Sequence, residues 1–287
     1  MSESLDLAAE AFTALRPRLF GVAYRMLGSV SEAEDVVQDA WVRWQQYDRS
    51  TVENPEAFLV TVVTRLAINA LQSARVKRES YVGPWLPEPV DTSADPALGA
   101  ERAEALELAV LLLLERLTPT ERASYVLREA FDHPYRRIAE VLEISEVSAR
   151  QLVSRARKHV ESGRRTTVAP DEHHRLLDAF LAAARAGNIG GLEALFADDV
   201  VRYSDGGGAA RAARFPVRGR ERVAQFQNAL QRFFAEGNVR PAQVNGQDAL
   251  VLTQDGALFG VASIVGSPEG ITDIFVVLNP AKLSAFR

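Results

Sequence analysis

The residues with the most chemical potential in this chain are bases and hydrogen-bond formers rather than nucleophiles. Ser148, Arg150, Gln151, Ser154, Arg155, Arg157 and Lys158 crowd one short stretch. Arg and Gln suit the edges of bases in a DNA major groove, while Ser, Lys and further Arg suit phosphates. Arg65, Asn69, Gln72 and Arg75 recur at intervals of three and four, which puts them on one helical face, and Lys77 and Arg78 extend it. A third cluster has the opposite sign: Glu34, Asp35, Gln38 and Asp39 form an acidic, hydrogen-bonding face. Catalytic alternatives are thin. There is no cysteine, so disulfides, thiolate zinc sites and cysteine nucleophiles are excluded. The four histidines include the adjacent His173 and His174, a poor basis for a metal site. Acid–base chemistry would have to use Asp205, Asp273 and Tyr203, with no evident histidine beside them. No catalytic, metal or cofactor-binding residue is therefore assigned.

These clusters need elements to hold them. Ser31 with Glu34 has the form of a capping box, so a helix is expected to start there. Val36, Val37, Ala40, Trp41 and Trp44 give it an apolar stripe. Leu15–Leu27 reads as a preceding helix, broken at Gly28-Ser29. Asn54-Pro55-Glu56 is a third helix start, with Phe58, Val62, Leu66, Ile68 and Leu71 as its apolar side. Prolines 84, 87 and 89 then impose an extended, semi-rigid linker, in which the large ring of Trp85 suggests docking on a neighbouring surface. Helical periodicity resumes over 101–117, and Thr118-Pro-Thr-Glu121 is another capping box. Tyr135–Leu142, a turn at Glu143-Ile144 and a Ser145-capped helix to about Val160 have helix-turn-helix proportions, with Ile138, Ala139 and Leu142 facing Ala149, Val153 and Ala156. Beyond 171 the texture changes. Residues 171–197 and 219–236 read as helical, and Val200–Ser204, Val239–Val244, Ala249–Thr253, Leu258–Val265 and Ile271–Leu278 as strands with hairpin punctuation such as Gln254-Asp-Gly256.

Composition sets outer limits. The 287 residues, 47% hydrophobic and 25% charged, suit about two soluble domains. The net charge of −5 conceals a local asymmetry: −2 over 1–80, −5 over 81–117, +3 over 118–170 and −1 over 171–287. DNA binding is compatible with an acidic chain because phosphate attraction is local. The expectation is a cytoplasmic protein with no bilayer-spanning run, no membrane partner and no signal peptide over Met1–Ala11.

Residues 12–160 together resemble an extracytoplasmic-function sigma factor of the sigma-70 family. Glu34-Asp-Val-Val-Gln-Asp39 resembles the helix that grips the large, clamp-bearing subunit of core RNA polymerase. That implies polymerase contacts at Glu34, Asp35, Val37, Gln38 and Asp39. Asn54-Pro-Glu-Ala-Phe-Leu through Arg78 resembles the −10 region, and Leu117-Thr-Pro-Thr-Glu-Arg to Val160 the −35 region of promoter recognition. Leu152 departs from the basic residue usual in such recognition helices. Trp85-Leu-Pro-Glu-Pro89, Asp205-Gly-Gly-Gly208 and Asn279-Pro-Ala-Lys-Leu283 resemble motifs of a subgroup with a SnoaL-like extension, thought to regulate the sigma factor in cis. The implied interdomain regulatory residues are Trp85, Leu86, Pro87, Asp205, Gly206, Gly207, Gly208, Asn279, Pro280 and Lys282. Ala281 replaces the usual acidic residue of the third motif, leaving Lys282 without that partner.

The expected architecture is multidomain: two all-α sigma domains, the second with a helix-turn-helix, and a cone-shaped α+β domain. The expected boundaries are 1–80, a linker at 81–100, 101–165 and 166–287. The expected partners are core RNA polymerase, promoter DNA and a small-molecule or protein signal at the C-terminal domain. Two other readings stay open on sequence alone. A one-component helix-turn-helix regulator would not need the acidic helix, and a SnoaL-type enzyme would need an Asp–His pair.

Overall fold

The computed structural model describes residues 2–93, 106–230 and 238–286; the side chains of 2–7, 75–77 and 238 lie outside that description. The chain divides into two compact units. The first comprises 1–79, 95–106 and 110–163, and the second comprises 80–94, 107–109 and 164–287.

In the first unit α1 (Ser2–Leu27), α2 (Val30–Gln46) and α3 (Pro55–Glu79) form a bundle. Gly28, at φ 65°, ends α1 in the left-handed region that glycine tolerates. The α2 cap differs from the expectation at Ser31. Ser29 is the N-cap, accepting from the Glu32 amide at 3.3 Å, and the helix starts two residues earlier than the Ser31 box implies. The Asn54 cap of α3 is present, with Oδ1 accepting from the Ala57 amide at 2.9 Å. Its buried face is Leu59, Val60, Val63, Leu66, Ala67 and Leu71. Phe58, Val62 and Ile68, expected on that face, are only half-buried. The 20 residues Pro55–Ala74 are long and apolar enough for a membrane span, contrary to the expectation of none. Here their apolar side chains pack against α1 and α2.

The unit continues through α4 (Leu108–Leu114), whose first two residues fall in the second unit, then α5 (Pro119–Tyr125) and a π-helical turn, Val126–Ala130. The Thr118–Glu121 capping box forms in both directions. The expected helix over 101–105 falls outside the described residues. Next come α6 (Tyr135–Leu142) and α7 (Glu146–Gly163). Between them Glu143 adopts φ 56°, and Ser145 caps α7 through the Ser148 amide at 3.1 Å. Ile138 and Ala139 meet Ala149, Val153 and Ala156 in the buried seam, but Val141 takes the place expected of Leu142. Val141 lies three residues after Ile138 and so shares its buried helical face.

The second unit opens with α8 (Pro170–Ala186) and α9 (Ile189–Leu195), where Gly187 at φ 63° divides the single helical run expected over 171–197. A six-stranded sheet follows in the order β2-β1-β6-β5-β4-β3. Its strands are β1 (Phe196–Asp205), β2 (Val217–Arg218), β3 (Asn238–Val244), β4 (Gln247–Gln254), β5 (Ala257–Ser267) and β6 (Gly270–Val277). The β1–β6 pair is parallel and the others antiparallel. Two hairpins turn on Asn245-Gly246 and Asp255-Gly256, all four residues with positive φ, as type I′ turns require. Register irregularities in β1, β4 and β5 bend the sheet around α8 and α10 (Arg220–Ala229). One core joins Leu177, Phe180 and Val223 of the helices to Leu250, Ile264 and Ile274 of the sheet. The two-residue β2 is too short to leave an alternating pattern in the sequence.

The proline-rich segment after α3 belongs to this second unit. The Asn245 amide donates to Val90 O at 2.9 Å and the Thr92 amide to Gln243 O at 3.0 Å. Asp91 bridges Val244, so the segment covers the exposed edge of β3.

Candidate polymerase and promoter interface

On α2 the buried side is Ala33, Val36, Val37, Ala40 and Trp44, with Trp41 half-buried against Phe12 at a ring separation of 4.9 Å. Trp44 also donates from Nε1 to Ala8 O at 3.2 Å. Asp35, Gln38 and Asp39 are exposed and Glu34 is half-buried, paired with Arg16 at 2.5 Å. Val37 departs from the rest of that expected contact set. It is 2% exposed and forms the floor of a groove of about 210 Å³ between α1 and α2. Its position is that of a core residue, because it lies one helical step from the acidic face.

On α3, Arg65, Asn69 and Gln72 are exposed on one face. The side chains of Arg75 and Lys77, expected to share it, lie outside the described residues. Arg65 is occupied by the helix-turn-helix. Its Nε donates to Val141 O at 2.9 Å, and its guanidinium pairs with Glu143 at 2.9 Å. Arg137 reaches the other way, from α6 to Ala57 O and to Thr61 Oγ1, the latter at 2.7 Å. Arg78 points inward rather than along the exposed face, being 14% exposed. It binds Glu115 and Leu27 O. Glu115 is shared with Arg122, which is 2.6 Å away and donates to Met26 O at 2.7 Å. Arg18 and Arg25 lie over the Phe131 ring, at 5.4 and 5.3 Å. The region around α3 and the helix-turn-helix are thus packed together.

The −35 candidates remain on the surface of α7. Arg150, Gln151, Ser154, Arg155, Arg157 and Lys158 are exposed, and Ser148 is half-buried at the cap. Arg150 pairs with Glu146 at 2.6 Å and lies over Tyr135, Arg157 pairs with Glu129 at 2.6 Å, and Arg155 reaches Glu121 at 3.5 Å. Leu152, the departure from the family pattern, is half-buried.

The three motifs of the second unit converge on one buried carboxylate. Asp205, fully buried, accepts from the Tyr81 hydroxyl at 2.5 Å, the Leu86 amide at 2.9 Å and Lys282 Nζ at 2.7 Å. Lys282 also donates to Leu86 O at 2.6 Å and lies 4.2 Å from the Trp85 ring centre. Asn279 donates to the Tyr81 hydroxyl at 2.8 Å and caps the turn Pro280–Lys282. Pro87 is buried and Pro280 exposed. Gly207 and Gly208 adopt φ 56° and 75°; a Cβ on Gly207 would collide with Asn279 and the Tyr81 hydroxyl. Ala281 leaves Lys282 without one potential partner, but Asp205 from another motif supplies a salt bridge to it. Burial, followed by the Asp205 hydrogen bond, raises the Tyr81 hydroxyl well above its ordinary value. Tyr81 is the member of this group that sequence reasoning missed, and its position just before the proline-rich string was the available signal.

The acid–base candidates do not meet in a cavity. Asp205 is committed to the linker, and the Tyr203 ring lies tilted against Phe275 at a ring separation of 5.5 Å. Burial raises the Asp273 carboxyl. His173 contacts Ile264 O at 3.2 Å, and His174 contacts Asp248 at 2.9 Å. The space between helices and sheet, about 20 Å³, is lined by none of them.

The Sigma-70 region 2 pattern matches residues 11–76, and the Sigma-70, region 4, pattern matches residues 107–160. The ECF RNA polymerase sigma factor SigJ of Mycobacterium tuberculosis is 40% identical over 232 residues, covering 79% of this chain and 74% of that protein. The probable ECF RNA polymerase sigma factor SigI of the same species is 31% identical over 287 residues, covering 98% of this chain and 97% of that one. The crystal structure of SigJ aligns with a TM-score of 0.79 at 35% identity, covering 96% of this chain and 98% of that chain.

Proposed function

The chain belongs to the extracytoplasmic-function family of RNA polymerase sigma factors, which direct transcription initiation at promoters, and from that premise we propose how its parts share the task. Residues 1–80 hold core polymerase through Glu34, Asp35, Gln38 and Asp39, and read the −10 element through Arg65, Asn69, Gln72, Arg75 and Lys77. Residues 101–165 read the −35 element through Arg150 and Gln151 at base edges, with Ser148, Ser154, Arg155, Arg157 and Lys158 on phosphates. The domain at 166–287 regulates both in cis, through the linker at 81–100.

The observation that carries the regulatory reading is the Asp205–Lys282 pair closed around Tyr81 and Leu86. The segment leaving α3 is built into the C-terminal unit, so the freedom of the two sigma regions to separate depends on that unit. A second observation agrees with it. Arg65, a −10 candidate, is held by Val141 and Glu143 of the helix-turn-helix, so promoter contact requires that packing to open. A bound signal acts by shifting the balance between packed and open states.

Truncation near residue 167 tests the regulatory reading: promoter-directed transcription unchanged from the full chain would sink it. Co-purification with core polymerase tests the α2 assignment. The Asp35→Ala, Gln38→Ala double variant is expected to lose it, and retained binding would remove that helix from the interface.

A further inference from the structure

The stretch that follows Asp205 carries charge of one sign. From Gly206 to Arg218 it contains Arg211, Arg214 and Arg218, with no lysine and no acidic residue. Arg211 and Arg214 are exposed. Among the described residues neither takes part in a hydrogen bond, an ion pair or a ring contact. Other surface arginines of the second unit behave differently: Arg165 holds Asp199 at 2.7 Å, and Arg220 holds Asp198 at 2.8 Å. Phe215, next to Arg214, is 80% exposed, more than any other large hydrophobic side chain among the described residues.

The stretch is fixed along its length. At its start Gly206 O accepts from the Ala209 and Ala210 amides at 3.0 and 2.9 Å, and a Cβ on Gly206 would collide with Ala210 O. In its middle the backbone of Ala213 and Arg214 lies against Gly83 of the linker, where an added Cβ would stand 3.9 Å from each. At its end Arg218 pairs with Val201 in the sheet, and the Gly219 amide donates to Val200 O at 2.9 Å. Pro216 confines Phe215 to extended backbone. The ring is therefore held outward, beside cations that have no partner in the fold. An arginine fork without a carboxylate suits phosphate, which it holds through two parallel hydrogen bonds. Cations on the backbone and a base on an aromatic face are the means by which proteins track a single strand. A duplex keeps its base faces in the stack, so the ring has a use only on an unpaired strand. A lipid surface would require a broader apolar face than Phe215 and the half-exposed Val82 beside Gly208 provide.

We propose that the stretch from Arg211 to Arg218 binds single-stranded DNA, with Arg211 and Arg214 on phosphates and Phe215 beneath a base. Transcription initiation separates the promoter strands, and an unpaired strand so formed is the occupant. The stretch lies outside both promoter-reading regions. The proposal stands whichever residues read the −10 and −35 elements, and whether or not the extension regulates them.

The test is photocrosslinking from the bound position itself. Full-length protein carrying Phe215→p-benzoylphenylalanine is irradiated with a labelled oligothymidylate of about 12 nucleotides, and then on promoter DNA after assembly with core polymerase. A saturable crosslink to the oligonucleotide is expected, with unlabelled single strand displacing it about fivefold or more better than duplex of equal phosphate content. The exposed pair Arg211→Gln and Arg214→Gln is expected to flatten the log–log dependence of half-saturation on salt by about 1.4, from two phosphates at about 0.7 each. On promoter DNA the crosslink is expected on a DNA strand. No DNA crosslink in either setting, equal displacement by duplex, or a salt slope unchanged in the double variant would each overturn the proposal. Crosslinking to a polymerase subunit in place of DNA would overturn it in favour of a protein-docking surface. Binding to phosphatidylglycerol vesicles that the double variant loses, without an oligonucleotide crosslink, would overturn it in favour of a lipid surface.

Discussion

Glu143 holds Arg65 at 2.9 Å where the two side chains are 75% and 45% exposed; Asp205 holds Lys282 at 2.7 Å where they are 0% and 8% exposed. The same kind of pair does different work in the two units. An exposed pair is worth roughly 0.2–1 kcal/mol and is weakened by salt. A buried pair need not add net stability, but removing one partner costs about 3–5 kcal/mol because the other is left buried and charged. On its surface the first unit keeps arginines such as Arg65 in contacts that a phosphate can replace, while Arg78 and Arg122 bind Glu115 away from solvent. The second commits its lysine to a contact that nothing in solution can easily replace. The exposed cations of the first unit are therefore placed for exchange, and the cation under the linker for permanence.

The strongest way to break that contrast is Lys282→Met. Loss of about 3–5 kcal/mol of stability in the second unit is expected, read by urea denaturation, with faster hydrogen exchange at the Leu86 amide. A loss below about 1 kcal/mol would place this pair with the exposed ones. Next in size are the proposed base contacts. Arg150→Ala and Gln151→Ala are each expected to lose about 1–3 kcal/mol of discrimination at single −35 positions, measured by competition between promoter variants. Uniform weakening across all sequences would assign them to phosphates instead. Smaller still is Glu115→Gln, which leaves half-buried Arg78 and buried Arg122 without their shared carboxylate. A loss of about 1–3 kcal/mol in the packing of the first unit is expected, with tighter promoter binding if that packing limits access. Unaltered binding would separate the packing from promoter access.

The same contrast explains what the sequence made legible. Local rules carried far: Asn54, Thr118 and Ser145 cap their helices as their spacing predicts, and five of the six strands follow from alternation and turn residues. The exposed face of α7 was readable because a helix alternates its faces with a fixed period. Ser29, rather than Ser31, caps α2 because both positions satisfy the local pattern, and the Gly28 turn selects between them. Val37 was assigned to a contact because it lies inside a recognised string, and only the packing separates it from its exposed neighbours. The Asp205–Lys282 pair spans 77 residues and involves Tyr81, 124 residues from Asp205. No local periodicity encodes such a pairing. The motifs flagged the members, and their partners emerged only from the fold. Arg65 and Arg137 show the same limit, since a basic residue on an exposed face reads alike whether it meets DNA or another helix.

The smallest effect sharpens the comparison through one residue type in both units. In the first unit burial, then Arg18 and Arg137, lowers His133, whose buried Nε2 has no hydrogen-bond partner among the described residues. In the second unit the Asp248 hydrogen bond, then the charge of Asp178, raises the exposed His174. The two shifts have opposite consequences for stability. Below the ordinary histidine value of about 6.5 the unfolded chain takes up the His133 proton before the folded one does. The His133 contribution is therefore complete above that pH and is lost as pH falls toward the folded value. The His174 contribution is complete below it and is lost as pH rises through the folded value. Between them the first unit is weakened on the acid side and the second on the alkaline side. Titration of the histidine Cε1 protons by NMR is expected to show His133 below and His174 above about 6.5, and Asp248→Asn is expected to return His174 toward it while leaving His133 unmoved. Coincident titrations would mean that the two units do not differ in how they treat charge at this residue. A His133 that moved with Asp248→Asn would mean the difference is not local to each unit.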